Sequence, residues 1–388
     1  MATAVTRTIK EINERIKQGK AVVLNAQDMA KLVRRSGKVK AAKEVDVVTT
    51  GTFSPMCSSG LLFNIGQRPP TMKVSRLWLN GVQAYSGLAA VDAYIGATEP
   101  SEDDPLNKVY PGLFKYGGGH VIEELVRGRS VHLKAAAYGT DCYPRRDLEK
   151  DITLGDLKNA VLFNPRNGYQ NYNCAVNLTS RTIYTYMGPL KPNLGNANFA
   201  TAGELSPLFN DPFFRTMGLG TRIFLGGGVG YVLGPGTQHN ARPQRNERGI
   251  PLTPAGTLMV KGELTTMDPR FLRGVSLTGY GCSLAVGLGI PIPVLDEEVA
   301  WYAGVGNSDI QVPVVDYGYD YPQGTSQVLR HVSYEELLSG EIEVNGKKVA
   351  TVPVTSLTMS LEVAEVLKTW IEKGEFMLTE PQEPIAAF

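Results

Sequence analysis

Residues 7–50 read RTIKEINERIKQGKAVVLNAQDMAKLVRRSGKVKAAKEVDVVTT, and this stretch decides the fold class. Ile9, Ile12 and Ile16 recur at helical spacing, which predicts an amphipathic helix over 7–18, ended by the Gly19-Lys20 turn. A short strand at Ala21–Leu24 follows, then a helix from Gln27 to Arg35 stopped by Gly37, then a β-branched strand at Val45–Thr50. Helix, strand, helix and strand in that order favour an α/β class, a mixed-sheet layered architecture, over all-α or all-β folds.

Farther along, the chain is less regular. From Leu113 to Gly318 it is dense in Gly, Pro, Asn and aromatic residues, which predicts short strands joined by long Gly/Pro-rich loops. Two loops stand out: NPRNGYQNYNCAVN at 164–177, and GGGVGYVLGPGTQHNARPQRNERGIP at 226–251, where no period is visible after Val232. Loops of that length in compact domains are usually functional or disordered. His239, Arg242, Arg245 and Arg248, set among prolines, make the second an expected lid or anion-contacting loop. The end of the chain is clearer. GEIEVNGKKVATVPV at 340–354 reads as an Asn-Gly β-hairpin, and a helix over 361–373 starts after Ser360 and stops at Gly374. The expected organisation is a catalytic α/β domain over 1–338 with a small C-terminal hairpin-plus-helix subdomain, 339–388, packed on it.

With 388 residues the chain can build a core without disulfides or metals. Its 39 basic and 38 acidic residues exclude a uniformly basic surface, so neither nucleic acid nor an anionic membrane is an expected partner. The uncharged stretch GVSLTGYGCSLAVGLGIPIPVL, 274–295, is broken by five glycines and two prolines and reads as buried strands and turns, not a spanning helix. The N-terminus lacks an apolar core of signal-peptide length, so a cytoplasmic location is expected, with Cys57, Cys142, Cys174 and Cys282 as free thiols. No Cys-x-x-Cys pair, P-loop or three-glycine dinucleotide spacing occurs, so no cofactor is bound through a recognisable motif.

Cys57 follows strand VDVVTT in TFSPMCSSG, where a small-residue turn exposes backbone N–H groups able to stabilise a thiolate. Cys142 precedes Arg145 and Arg146, whose charges favour the thiolate, while Asp141 opposes them. Burial as a small apolar side chain is the competing reading for Cys57, and simple surface pairing of the arginines for Cys142. Cys174 and Cys282 lack basic neighbours in sequence and read as structural. His120, after three glycines, is the candidate for acid–base work.

TGTFSPMCSSGLLFNIG (50–66), GGGHVIEELVRG (117–128), YGTDCYPRRD (138–147), GDLKNAVLFNPRNGYQNYNCAVN (155–177), IFLGGGVGYVLGPGTQHN (223–240) and WIEKGEFMLTEP (370–381) together resemble the homocysteine-biosynthesis family, the L-aspartate-semialdehyde sulfurtransferases. The resemblance covers nearly the whole chain. It implies that L-aspartate semialdehyde, sulfide and two electrons give L-homocysteine in anaerobes, with functional cysteines matching Cys57 and Cys142. Some members carry regulatory domains or an iron–sulfur segment. Neither is seen here, so the resemblance implies a separate ferredoxin-like protein as external electron donor. The chemistry that fits is a cysteine persulfide adding to the aldehyde and a second thiol closing a transient disulfide. Arg145 and Arg146 assign the persulfide to Cys142 and the resolving role to Cys57, an order that is open to exchange. Arg166 and Arg242 are candidates to clamp the substrate carboxylate. A persulfide carrier that hands sulfur to a partner is the alternative, acyl or coenzyme A transfer a third, and a homo-oligomer is left open.

Overall fold

A computed structural model describes residues 5–318 and 327–385. Residues 1–4 and 386–388, at the two ends of the expected domains, and 319–326, within the first, lie outside the described residues. The opening helix, Ile9–Lys17, is fixed by a capping box in which the Glu11 carboxylate accepts from Thr8 N–H at 2.7 Å, and it buries Ile9, Ile12 and Ile16. The next helix begins at Asn25, whose side chain caps Asp28 N–H, and spans Ala26–Glu44. Gly37 interrupts this helix as expected, at φ 77°, but the chain resumes helical geometry beyond it and buries Ala41 and Ala42. A single left-handed residue, open to glycine at little cost, breaks the hydrogen-bond ladder without ending the apolar stripe.

Mixed sheets follow, as the α/β reading requires. Val23–Asn25 pairs in parallel with Val47–Thr49, which pairs antiparallel with Pro291–Pro293. A six-stranded sheet also mixes directions: Cys174–Val176 lies parallel to Gln311–Asp316 and antiparallel to Ala197–Phe199. The largest sheet, nine strands, is antiparallel throughout, and a ring within it is completed by chain continuity from Thr52–Pro55 to Gly60–Asn64, not by pairing between those two strands. Thr52–Pro55 pairs with Gly281–Gly289. After a four-residue turn, Gly60–Asn64 pairs with Asn159–Asn167. The ring returns through Leu258–Glu263, Gly228–Pro235 and Arg222–Leu225 to Gly281–Gly289. Residues 56–59 therefore form the corner at which the chain changes partners, and Cys57 sits in that corner.

The uncharged 274–295 stretch supplies the barrel's most buried strand, Gly281–Gly289, every residue of which is buried. No helix among the described residues is long and apolar enough to cross a membrane. Both long loops are shorter than expected. Asn159–Asn167 and Cys174–Val176 take the two ends of the first as strand, and Gly228–Pro235 takes the start of the second. The glycines at 226–230 hid that strand because they carry no alternating side chains, yet Gly230 packs where a Cβ would stand 2.7 Å from Lys261 O.

The Asn-Gly hairpin forms as expected, Glu341–Val344 with Lys347–Pro353, Asn345 and Gly346 both at positive φ. It joins the edge of the six-stranded sheet. The final helix starts one turn early, at Leu357, capped by Ser356. Ser360, the expected cap, instead lies inside the helix and accepts from Phe53 N–H at 3.0 Å. This contact docks the helix on the strand that leads to Cys57.

Candidate active site

Strand alternation builds the site from behind. Cys282 and Ser283 are neighbours on Gly281–Gly289 and point to opposite faces. The Cys282 thiol donates to Phe114 O at 3.3 Å, and the Ser283 hydroxyl donates to Cys57 Sγ at 3.4 Å. The turn carrying Cys57 is closed by Ser59 N–H on Met56 O at 2.9 Å. It is stitched sideways to the next barrel strand by Asn164: Ser58 Oγ lies 2.8 Å from Asn164 Oδ1, and Asn164 Nδ2 donates to Ser59 Oγ at 2.8 Å. The same Oδ1 accepts from Arg166 N–H at 3.0 Å. Asn164 is wholly buried, so it fixes the spacing between Cys57 and Arg166.

Cys57 and Arg166 both line a cavity of about 280 Å³. Its floor comes from Thr52, Ser54 and Met56, and its far wall from Tyr186, Met187, Ala200 and Thr201, beside the six-stranded sheet. The cavity thus lies where two buried clusters meet, a usual place for a ligand site. Its volume suits a small metabolite. Tyr169, Tyr172, Tyr186 and Tyr280 form an aromatic side, with Tyr169 and Tyr172 ring centroids 5.2 Å apart, edge to face. Burial pushes the Tyr169 hydroxyl up, Arg166 draws it back, and the charge on Cys57 raises it again. That coupling sets Arg166, Tyr169 and Cys57 in one electrostatic neighbourhood. Burial also pushes Tyr186 far above its ordinary range, so its hydroxyl stays protonated.

The other expected residues lie elsewhere. Cys142 is exposed on the turn between Val131–Ala137 and Asp147–Ile152, 3.6 Å from Thr140 Oγ1, with its carbonyl accepting from Thr71. Both thiols are free, and Cys142 does not line the cavity that Cys57 lines. Arg145 stays with Cys142, its guanidinium 3.4 Å from Pro69 O, and Arg146 is exposed beside Gly139.

His120 does not line the Cys57 cavity. It stacks on Tyr116 at 5.6 Å, with Nε2 3.3 Å from Ser276 Oγ and Nδ1 buried without a partner. Burial holds its pKa below the ordinary histidine value. The glycines before it admit backbone, not substrate: a Cβ on Gly118 would stand 1.9 Å from Gly96 O, and one on Gly119 2.0 Å from Ser283 O. Arg242 is exposed and away from the cavity, to which the second loop contributes Gln238. Arg245 and Arg248 are spent on packing, one over Phe213 and bonded to Gly249 O, the other 3.6 Å over the Trp301 ring.

Burial pushes Cys174 up to about 12 and Cys282 up to about 11, which keeps both as thiols and agrees with a structural role. Sequence reasoning missed Ser283, Asn164 and the tyrosine wall. Only Tyr169 and Tyr172 carried a local signal, in NGYQNYN. The others come from segments more than a hundred residues from Cys57.

No solved structure matches the chain. An L-aspartate semialdehyde sulfurtransferase of Methanocaldococcus jannaschii is 49% identical over 389 aligned positions, covering 97% of this chain and 72% of the relative. A protein of the same name from Methanosarcina acetivorans is 46% identical, covering 98% and 72%. An uncharacterized protein of Methanothermobacter thermautotrophicus is 32% identical, covering 87% and 73%. The profile described as "Homocysteine biosynthesis enzyme, sulfur-incorporation" matches residues 21–378, which include Cys57, Arg166 and every other residue lining the cavity, and the chain belongs to that family.

Proposed function

We propose that this chain converts L-aspartate semialdehyde, sulfide and two electrons to L-homocysteine at the Cys57 cavity, in the cytoplasm. The observation that carries the reading is a partly exposed thiol and an arginine facing one small cavity, in a chain whose relatives are named for this sulfur transfer. Arg166 supplies the two-point fork for the substrate carboxylate. Arg242, exposed and outside the cavity, is set aside for that role.

The cavity also favours exchanging the roles expected from sequence, with the persulfide on Cys57 and Cys142 as the resolving thiol. Sulfide is already fully reduced, so it forms a persulfide only by attacking a disulfide. The free thiols are primed once by a small-molecule disulfide: the Cys57 thiolate attacks it and expels one thiolate, and Cys142 displaces the other to close a Cys57–Cys142 disulfide. Hydrosulfide attacks Cys57 Sγ in that disulfide, leaving a Cys57 persulfide and a Cys142 thiolate. The terminal sulfur adds to the aldehyde carbon, and the oxyanion takes a proton to give Cys57–S–S–CH(OH)R. Cys142 then attacks Cys57 Sγ, restores the disulfide and expels the hydroxythiolate, which loses hydroxide to become a thioaldehyde. Two electrons and two protons, from a ferredoxin-like donor protein, give the thiol. The resolving step requires Cys142 Sγ, which does not line the cavity, to reach Cys57 Sγ.

Cys57→Ala and Cys142→Ala are each expected to abolish homocysteine formation from semialdehyde, sulfide and reductant. Arg166→Met is expected to raise KM for the semialdehyde about 10- to 100-fold, the loss of one charge-assisted pair. Activity that survives in the double cysteine variant sinks the reading. A persulfide carrier without amino-acid binding predicts no saturable heat when a semialdehyde analogue is titrated into the protein.

A further inference from the structure

The geometry points to Ser283 as a catalytic residue whose hydroxyl holds the Cys57 sulfur at the cavity and steadies the charge that sulfur carries when it attacks. The inference rests on Cys57 being the reacting sulfur, as proposed above. Ser283 is wholly buried in a strand whose every residue is buried, and its side chain faces the corner at residues 56–59. Its hydroxyl donates to Cys57 Sγ at 3.4 Å, and no other side-chain hydrogen bond is recorded for that hydroxyl among the described residues.

A serine hydroxyl costs free energy to bury unless it is paired, and a sulfur is a weak partner for it when neutral. It is a much stronger one when the sulfur is charged. The pairing therefore gains strength as the thiolate forms. The backbone beneath it cannot give way. Gly119, at the start of helix Gly118–Val126, packs so closely on Ser283 that a Cβ there would stand 2.0 Å from its carbonyl oxygen. Two ladder contacts flank the pair, Met56 N–H on Leu284 O at 2.8 Å and the Val286–Ser54 register. Ser283 does not line the cavity, so it approaches the sulfur from behind and leaves the cavity face free for substrate.

The charged form acts when the Cys57 thiolate attacks the small-molecule disulfide that primes the cycle, and from then on its sulfur is the one attacked. When hydrosulfide opens the disulfide, the hydroxyl fixes the Cys57 sulfur as the one that lines the cavity. When Cys142 attacks, the S–S bond of Cys57–S–S–CH(OH)R breaks and its electron pair leaves with the outer sulfur, while the hydroxyl keeps the inner sulfur in place.

The test is the pH dependence of iodoacetamide alkylation, followed peptide by peptide by mass spectrometry in the full chain, with exposed Cys142 as internal reference. In Ser283→Ala, Cys57 alkylation below the profile's midpoint is expected to slow about 10- to 100-fold and the midpoint to move to higher pH, the worth of one hydrogen bond to a charged group. Cys142 keeps its profile. Ser283→Thr, which restores the hydroxyl, is expected to recover most of the change, and circular dichroism separates misfolded variants from loss of the bond. An unchanged Cys57 profile in folded Ser283→Ala overturns the inference. Because alkylation needs neither substrate nor electron donor, it stands apart from the proposed reaction: inactive Cys57→Ala with an unmoved Ser283→Ala profile removes only the serine's role, and a moved profile with active Cys57→Ala removes only the reaction.

Discussion

Asn164→Ala removes the side chain that binds Ser58, Ser59 and the Arg166 N–H together at the Cys57 corner. Three hydrogen bonds disappear: Ser58 Oγ at 2.8 Å, Arg166 N–H at 3.0 Å and Ser59 Oγ at 2.8 Å. Ser58 keeps a second acceptor, Arg166 O at 2.9 Å, so it loses little. Ser59 and the Arg166 N–H lose the partner recorded for them here, and Ser59 is 1% exposed, so water replaces that partner poorly. Two net hydrogen bonds at about 1 kcal/mol each, with a further ~1 kcal/mol for groups left unsatisfied, give a loss of about 3 kcal/mol. That is a large share of the roughly 5–15 kcal/mol that holds a typical domain. Urea denaturation at pH 7 followed by tryptophan fluorescence measures it, and Cys57 alkylation is expected to quicken as the corner loosens. Asn164→Asp keeps both acceptor contacts and loses only the donor to Ser59, so its loss is expected to be smaller and to change as the buried carboxyl titrates. A folded Asn164→Ala that loses under about 1 kcal/mol, with Cys57 alkylation unchanged, refutes the claim that this residue sets the corner.

His120 gives a pH signature. Its folded-state pKa is held below the ordinary 6.5, burial outweighing the opposing pull of Glu123 and Glu124. The unfolded chain thus takes up the proton first, and stability is expected to fall as pH drops through about 6.5, levelling below the folded-state value. His120→Gln, measured by denaturation between pH 5 and 8, should flatten that part of the curve. Equal slopes for variant and parent would remove the burial argument. Gly118→Ala places a methyl group 1.9 Å from Gly96 O, backbone against backbone, and is expected to cost about 3 kcal/mol or more and to lower the yield of soluble protein. Gly128→Ala, at φ 71° with open space around it, is expected to cost only about 1 kcal/mol, and comparable losses at the two sites would contradict the packing account.

Much of the fold was legible because its signals are local. The isoleucine stripe of Ile9, Ile12 and Ile16, the left-handed break at Gly37 and the Asn345-Gly346 hairpin each depend on residues within one turn of one another. The strand at Gly228–Pro235 was not legible, since its glycines are chosen for close approach to neighbouring strands and leave no alternation to read. The start of the last helix was misjudged by one turn for a similar reason. Ser356 and Ser360 are equally good caps in sequence, and only the contact between Ser360 and Phe53 N–H shows which one faces the barrel.

By itself, the sequence determined the α/β class, the free thiols and the family, and it singled out Cys57, Cys142 and Arg166. Tertiary structure decided which of these meet. Cys57 and Arg166 are more than a hundred residues apart and share a cavity because Asn164 binds the corner at 56–59 from the adjacent strand. Cys142, closer to Cys57 in sequence than Arg166 is, sits on an exposed turn of another sheet. Ser283 bore no sign of its place beside the sulfur, since a buried serine in an apolar strand has no local pattern. Its partner is set by a strand register 226 residues away in the chain.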